Sequence, residues 1–225
     1  AKLISTFPVE ETEEIDDEAW KENLGTIVLG TPITVTGQGV EVQGNVAVIT
    51  EGGDFEVTGS LNNGMIYINT KSRVKLRLSG CSLTNQDGPA IYFDDVDKGF
   101  ITVTKGTENY LEDSAEYSEA NSGAKSALFS NDTLEIKGSG TLYVTGNYKH
   151  AICSDDDVQI ENSTMYLTSS SDAIHANDNI KISGGTINTN AGGEGLQSED
   201  IIEISDGTLN ITAEGKGVKL LPLWC

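Results

Sequence analysis

Asp95, Asp132, Asp156, Asp178 and Asp200 each stand four positions after an isoleucine or leucine, and each follows another oxygen-bearing residue: Asp94, Asn131, Asp155, Asn177 and Glu199. If the chain brings successive copies into register at the ~4.8 Å spacing of paired strands, these residues form a ladder of oxygen ligands two wide. Two ionised carboxylates about 5 Å apart repel by roughly 3 kcal/mol at an effective dielectric near 20. Lysine and arginine are scarce at these positions, whereas Ca²⁺ takes about 6–8 oxygens from carboxylates, amide and backbone carbonyls and water. The expectation is more than one Ca²⁺, held by Asp155, Asp156, Asn177, Asp178, Glu199 and Asp200. A second acidic column, two residues before the apolar one, holds Asp172 and Glu194, but its other members are Ser126, His150 and Lys216. Metal there is confined to the two central coils. The metal-free alternative is that each aspartate closes an Asx-turn at its own corner.

Two aromatic columns accompany the acids. Tyr143 and Tyr166 take the outward middle position of a strand, with Asn188 and Asn210 continuing the row. Rings beside amides suit sugars, because a ring packs on pyranose C–H groups and amides bond hydroxyls; ordinary cross-strand pairing is the alternative. Tyr92 and Phe129 are expected outward on another strand, in line with Cys153, His175 and Gln197. No catalytic residue is assigned. His150 and His175 have no serine or cysteine nucleophile in equivalent positions, His175 reads as a solvent-facing strand residue, and paired carboxylates fit metal binding as well as glycoside hydrolysis. A lyase would need a base from Lys149, Lys181, Lys216 or Lys219, and Lys181 is expected to pair with Glu203 instead.

These columns exist because the sequence repeats. AICSDDDVQIENSTMYLTSSSD, AIHANDNIKISGGTINTNAGGE and GLQSEDIIEISDGTLNITAEGK follow one another with equivalent positions 22 residues apart, so Ile152, Ile174, Leu196 and Val218 correspond. The preceding unit, from Ala127, carries two extra residues; Leu76–Asn85 and Ala90–Val96 align more loosely, and Val46–Gly64 reads as a divergent first coil. Within a unit, short runs alternate with period two, as half-buried strands do. Turn residues (Asn177-Asp178-Asn179, Ser183-Gly184-Gly185, Asn190 to Glu194) cut each unit into three strands. No run has helical spacing. Edge groups of one coil must pair with the next, which makes an all-β parallel β-helix, right-handed by the crossover preference. The expected organisation is an acidic N-terminal segment and cap over residues 1–36 and a solenoid over 37–225. Lys105–Ser126, with Tyr110 and Tyr117, is expected to leave the stack as a surface loop. A short helix over Glu10–Leu24 and the apolar tail Leu220–Trp224 are the expected caps.

The formal net charge of −21 disfavours nucleic acid, whose backbone needs cations to displace its counterions, and disfavours acidic polysaccharides unless divalent cations intervene. Three cysteines without a CxxC pair indicate neither a disulfide framework nor a zinc site. No stretch has the ~20 apolar residues that span a bilayer, and Ala1 in place of methionine suggests a trimmed leader.

The units Asp172–Ile187 (DAIHANDNIKISGGTI) and Glu194–Leu209 (EGLQSEDIIEISDGTL), with the upstream Gly88–Tyr92 (GPAIY) and Gly106–Ser118 (GTENYLEDSAEYS), resemble the bacterial secreted carbohydrate-binding β-helix family that is similar to calcium-dependent polysaccharide lyases. The likeness runs from about Gly37 to Val218. It implies a right-handed parallel β-helix holding several Ca²⁺ ions, associated with plant cell-wall polysaccharides such as cellulose and pectic acids, with the motif's acids on Asp156, Asp172, Asp178, Glu194 and Asp200. The expected function is noncatalytic, calcium-dependent polysaccharide binding by a secreted or cell-surface bacterial protein. A calcium-dependent lyase acting on pectate-like chains is the alternative, and a surface scaffold stabilised by calcium is a third.

Overall fold

The computed structural model describes residues 19–221. They form a parallel β-solenoid of about eight coils with about 23 residues per turn. Among the described residues there is no α-helix, only two short 3₁₀ turns, Ala19–Glu22 and Glu119–Asn121.

One coil shows how sequence becomes circuit. The first strand, Ile174–Ala176, pairs in parallel with His150–Ser154 on one side and Leu196–Ser198 on the other. The second and third strands run together as Asn179–Ala191, in register with Ile201–Ala213 apart from an irregularity between Ile182 and Thr186. The three expected strands are therefore present, the last two fused through the bend at Ser183-Gly184-Gly185. Gly185 has φ +92°, and a Cβ there would collide with the carbonyl oxygen of Ser163 in the coil below, so this corner demands glycine. One coil earlier, Asn162 adopts φ 60°, which asparagine tolerates better than most residues.

The inward residues stack into apolar columns. Ile66, Ile91, Leu128, Ile152, Ile174 and Leu196 follow one another in register along the first strand and are all fully buried. Val218 continues that column but is 45% exposed, because no described coil follows it. Residues 222–224 of the expected C-terminal cap lie outside the described residues, as do positions 10–18 of the expected N-terminal helix.

Two boundaries move. Leu24–Leu29 pairs in parallel with Gly53–Leu61, so the stack begins before residue 37 and the expected 1–36 segment already contributes a strand. Glu108–Glu112 pairs with both Val74–Thr84 and Thr141–Gly146, so it belongs to the stack. The excursion is shorter than expected, 113–125, and it folds back over the outside of the first strands. Tyr92, Ala124, Phe129 and Cys153 are buried together there, with Tyr67, Met65 and Tyr117 packed against them. The Tyr92–Phe129 column expected outward is therefore a second small core. Tyr117 fastens the cover: its ring stacks on Tyr148 (centroids 4.2 Å apart), and its hydroxyl donates to buried Asp113 (2.6 Å) and lies 3.0 Å from the Ser126 carbonyl oxygen. Burial pushes the Asp113 carboxyl up to about 6, against the hydrogen bonds from Tyr117 and the Asn147 backbone.

The solenoid thus presents three outer faces of different chemistry. The first-strand face is aromatic and largely covered. The second-strand face mixes charges, with Lys98 and Lys137 both paired to Glu135 (2.7 and 2.8 Å). The third-strand face is open and mostly uncharged.

Candidate functional site

The acidic ladder lies at the corner between first and second strands, and each coil neutralises it differently. In the early coils the protein supplies the partners. Tyr67 donates to Asp94 (2.5 Å), Lys71 pairs with Asp95 (2.8 Å), and Asp132 accepts the Val96 backbone N–H (3.2 Å). Asp155, expected among the cation ligands, instead pairs with Lys125 (2.6 Å) and accepts the Asn177 side-chain amide (3.3 Å), so the excursion brings a cation that column spacing did not reveal. Asn177 spends its amide on that contact.

Asp156 and Asp178 come together as expected, and Asp157 joins them: one carboxylate oxygen from each lies within 4.8 Å of the other two. Burial works against ionisation of Asp157, but the Asn179 amide and Lys181 outweigh it and hold this carboxyl below the usual range. Lys181 faces Glu203 in register, yet its Nζ lies by Asp157 (3.4 Å), a correction to its expected partner. Asp178 is exposed, and the adjoining carboxyl of Asp156 raises its pKa, helped by its own slight burial and by the charges of Asp156, Asp200 and Asp157. Asp200 stacks next along the corner, its backbone N–H bonded to the Asp178 carbonyl (3.0 Å), and Glu199 beside it is exposed. Among the described residues no lysine or arginine forms an ion pair with Asp156, Asp178 or Asp200. An all-oxygen set with surplus negative charge is the chemistry of a hard divalent cation.

The second acidic column is not one site. Asp172 is buried between two imidazoles: its Oδ2 lies 3.3 Å from Nδ1 of His150 and 3.0 Å from Nδ1 of His175. Its Oδ1 accepts the Glu194 backbone N–H (2.9 Å). Burial opposes its charge, but the hydrogen bonds from the two histidines and from Glu194 hold its carboxyl far below the usual range. The Glu194 side chain turns to Lys219 (3.1 Å). His175, expected to face solvent freely, is locked into this cluster by the carboxylate.

On the third-strand face, Tyr143 and Tyr166 stack as expected (centroids 5.0 Å apart, planes 12°), and Tyr110 extends the row (4.7 Å, 5°). Asn188 and Asn210 continue it, with the Asn210 amide donating to Asn188 Oδ1 (2.9 Å) and the Asn188 amide donating to the Met165 carbonyl (3.2 Å). Threonines flank the row: Thr141, Thr164, Thr186 and Thr208 on one side, Thr145, Thr168 and Thr212 on the other. Because the rings lie face to face, each covers its neighbour. The free ring faces are at the two ends: that of Tyr166, which looks over Asn188, and that of Tyr110, which looks over Ser82. Tyr110 and Tyr166 are 42% and 44% exposed.

Sequence reasoning missed Tyr110 by assigning it to the loop. The signal was present in Glu108–Glu112 (ENYLE), whose tyrosine stands where TLYVT of the next coil has Tyr143. Asp157 was passed over because only its two predecessors were aligned in the ladder. The histidines were set aside because the partner that unites them is a carboxylate, not a nucleophile.

Residues 43–221 match the family described as carbohydrate-binding domain-containing protein. A protein of that description from Acetivibrio thermocellus is 29% identical over 128 residues, 54% of this chain and 44% of the relative; the chain thus spans less than half the length of that curated relative. A solved structure, the polysaccharide lyase-like protein from C. thermocellum as a gadolinium derivative, is similar with a TM-score of 0.81 at 23% identity, covering 87% of this chain and 94% of that one. At this identity the likeness is one of fold. Among the described residues no helix is long and apolar enough to cross a membrane.

Proposed function

The chain belongs to the carbohydrate-binding domain-containing family, and from that premise we propose that it is a noncatalytic, calcium-dependent polysaccharide-binding protein, secreted by or displayed on a bacterium. The observation that carries the reading is the open Tyr110–Tyr143–Tyr166 row ending in the Asn188 and Asn210 amides. A pyranose packed on the free face of Tyr166 lies over those amides and between the threonine rows, so one stacking contact and several hydroxyl partners converge. The face carries little charge and suits a neutral glucan such as cellulose.

Calcium belongs at the other surface. Asp156, Asp157 and Asp178 supply the oxygens, with Asp200 next in the column, and the donor set fits Ca²⁺ better than a softer metal. Its roles are to relieve the repulsion at that corner and to let a chain of net charge −21 hold an acidic polysaccharide such as pectic acid through cation bridges. Lyase chemistry finds less support: of the four lysines considered as bases, Lys181 and Lys219 are engaged with Asp157 and Glu194.

Retention on insoluble cellulose and on polygalacturonate, each with calcium and with chelator, tests the proposal. Tyr166→Ala should weaken cellulose retention by about tenfold or more, as loss of a stacking anchor does, and chelation should abolish retention on polygalacturonate. Unchanged cellulose retention in Tyr166→Ala refutes the site, and release of unsaturated uronate products refutes the noncatalytic assignment.

A further inference from the structure

We propose that His150, Asp172 and His175 form a binding site for a first-row transition metal ion, distinct from the all-oxygen corner and selective for a different class of cation.

Two coils build the site. His150 opens one first strand, Asp172 occupies the equivalent position 22 residues on, and His175 follows Asp172 by three, placing its ring against that of His150 (centroids 4.5 Å apart, planes 27°). The candidate ligand atoms of all three lie within 4.8 Å of one another. Both Nδ1 atoms approach the same oxygen, Asp172 Oδ2, at 3.3 and 3.0 Å. Those are the donor-to-donor separations around a small metal ion: bonds of about 2.0–2.1 Å give an edge of about 3.3 Å in a tetrahedron and about 3.0 Å in an octahedron.

Neighbouring groups hold the rings in place: the backbone N–H of Asp172 lies 3.3 Å from Nδ1 of His150, and the Gln197 side-chain amide lies 3.2 Å from Nδ1 of His175. Without metal, the histidine ring N–H groups hydrogen-bond the Asp172 carboxylate, which is 3% exposed. With those protons lost, the two ring nitrogens and Oδ2 are three lone-pair donors converging on one point, and a metal ion bonded to all three takes the place of the protons. The carboxylate is already oriented, because Oδ1 is held by the Glu194 N–H and only Oδ2 faces the histidines. Such outer-shell positioning marks metal sites. Two imidazoles and one carboxylate suit Zn²⁺, Co²⁺ or Ni²⁺ and do not suit Ca²⁺ or Mg²⁺. His175, the least buried of the three, gives the ion its entry, and three protein ligands leave coordination positions open for water or a sugar hydroxyl.

The test uses the tag-free protein in millimolar calcium, which occupies the acidic corner, titrated with Co²⁺ and Zn²⁺. Expected are one equivalent bound, visible Co²⁺ d–d bands without a thiolate charge-transfer band, and a melting temperature that rises with Zn²⁺. His175→Gln should weaken binding by at least about tenfold, the scale on which even outer-shell losses act, while leaving the metal-free melting temperature near that of the native chain. His150→Gln serves as the second variant. No uptake, a thiolate band, or uptake that survives both substitutions would overturn the assignment, leaving a proton as the shared cation.

Discussion

Replacing Asp178 with asparagine should have opposite effects on stability with and without calcium. One carboxylate oxygen each from Asp156, Asp157 and Asp178 lies within 4.8 Å of the other two, so each ionised pair involving Asp178 costs about 3 kcal/mol at an effective dielectric near 20. Asp178 is exposed, and solvent screening brings the net figure nearer to 1 kcal/mol. In chelator, Asp178→Asn removes that repulsion and should raise the melting temperature by about 2–4 °C, the scale for 1 kcal/mol in a domain of this size. In calcium the native carboxylate is a ligand. Calcium at about 100 times its Kd adds about 2.7 kcal/mol, or roughly 5–10 °C by the same scale, and the variant forfeits most of that gain. Thermal melts of both proteins in chelator, calcium and magnesium read the crossing directly. A native melting temperature that ignores chelation, or a variant less stable than the native chain in both conditions, would refute the cation at this corner and favour Asx-turns.

Two further outcomes follow from the excursion. Asp113 has its folded pKa raised to about 6, so its contribution to stability is fully present below the unfolded value near 4 and is lost as pH rises toward 6; a ¹³C carboxyl titration should show one aspartate near pH 6 that disappears in Asp113→Asn, and an ordinary value would refute its burial. Phe129→Ala empties a fully buried site beneath the cover and should cost about 3–5 kcal/mol while exposing 113–125 to protease, whereas a loss under about 1 kcal/mol with no new cleavage would show that the cover does not pack there.

The coil, its three strands and its columns were legible because a repeat forces register. Once Ile152, Ile174 and Leu196 are matched, every residue between them is placed, and the Tyr143–Tyr166 row and the Asp156–Asp178 pair followed from counting alone. What counting could not supply was contact between unlike positions. Lys125 reaches Asp155 from the excursion, the same excursion covers Phe129, and Asp172 meets His150 and His175 across both a rung and a three-residue step. Ring orientation was also beyond the pattern: alternation says that a tyrosine points outward, and only packing shows that Tyr143 is covered by its neighbours while Tyr166 keeps a free face.

The most direct test of the recognition surface is an NMR titration of the backbone-assigned protein with a soluble cello-oligosaccharide. The largest amide shifts should fall on 164–168, 186–190 and 208–212, centred on Tyr166, Asn188 and Asn210. Shifts centred instead on Gln159, Lys181 and Glu203 along the second-strand groove, or none at saturating sugar, would contradict the account.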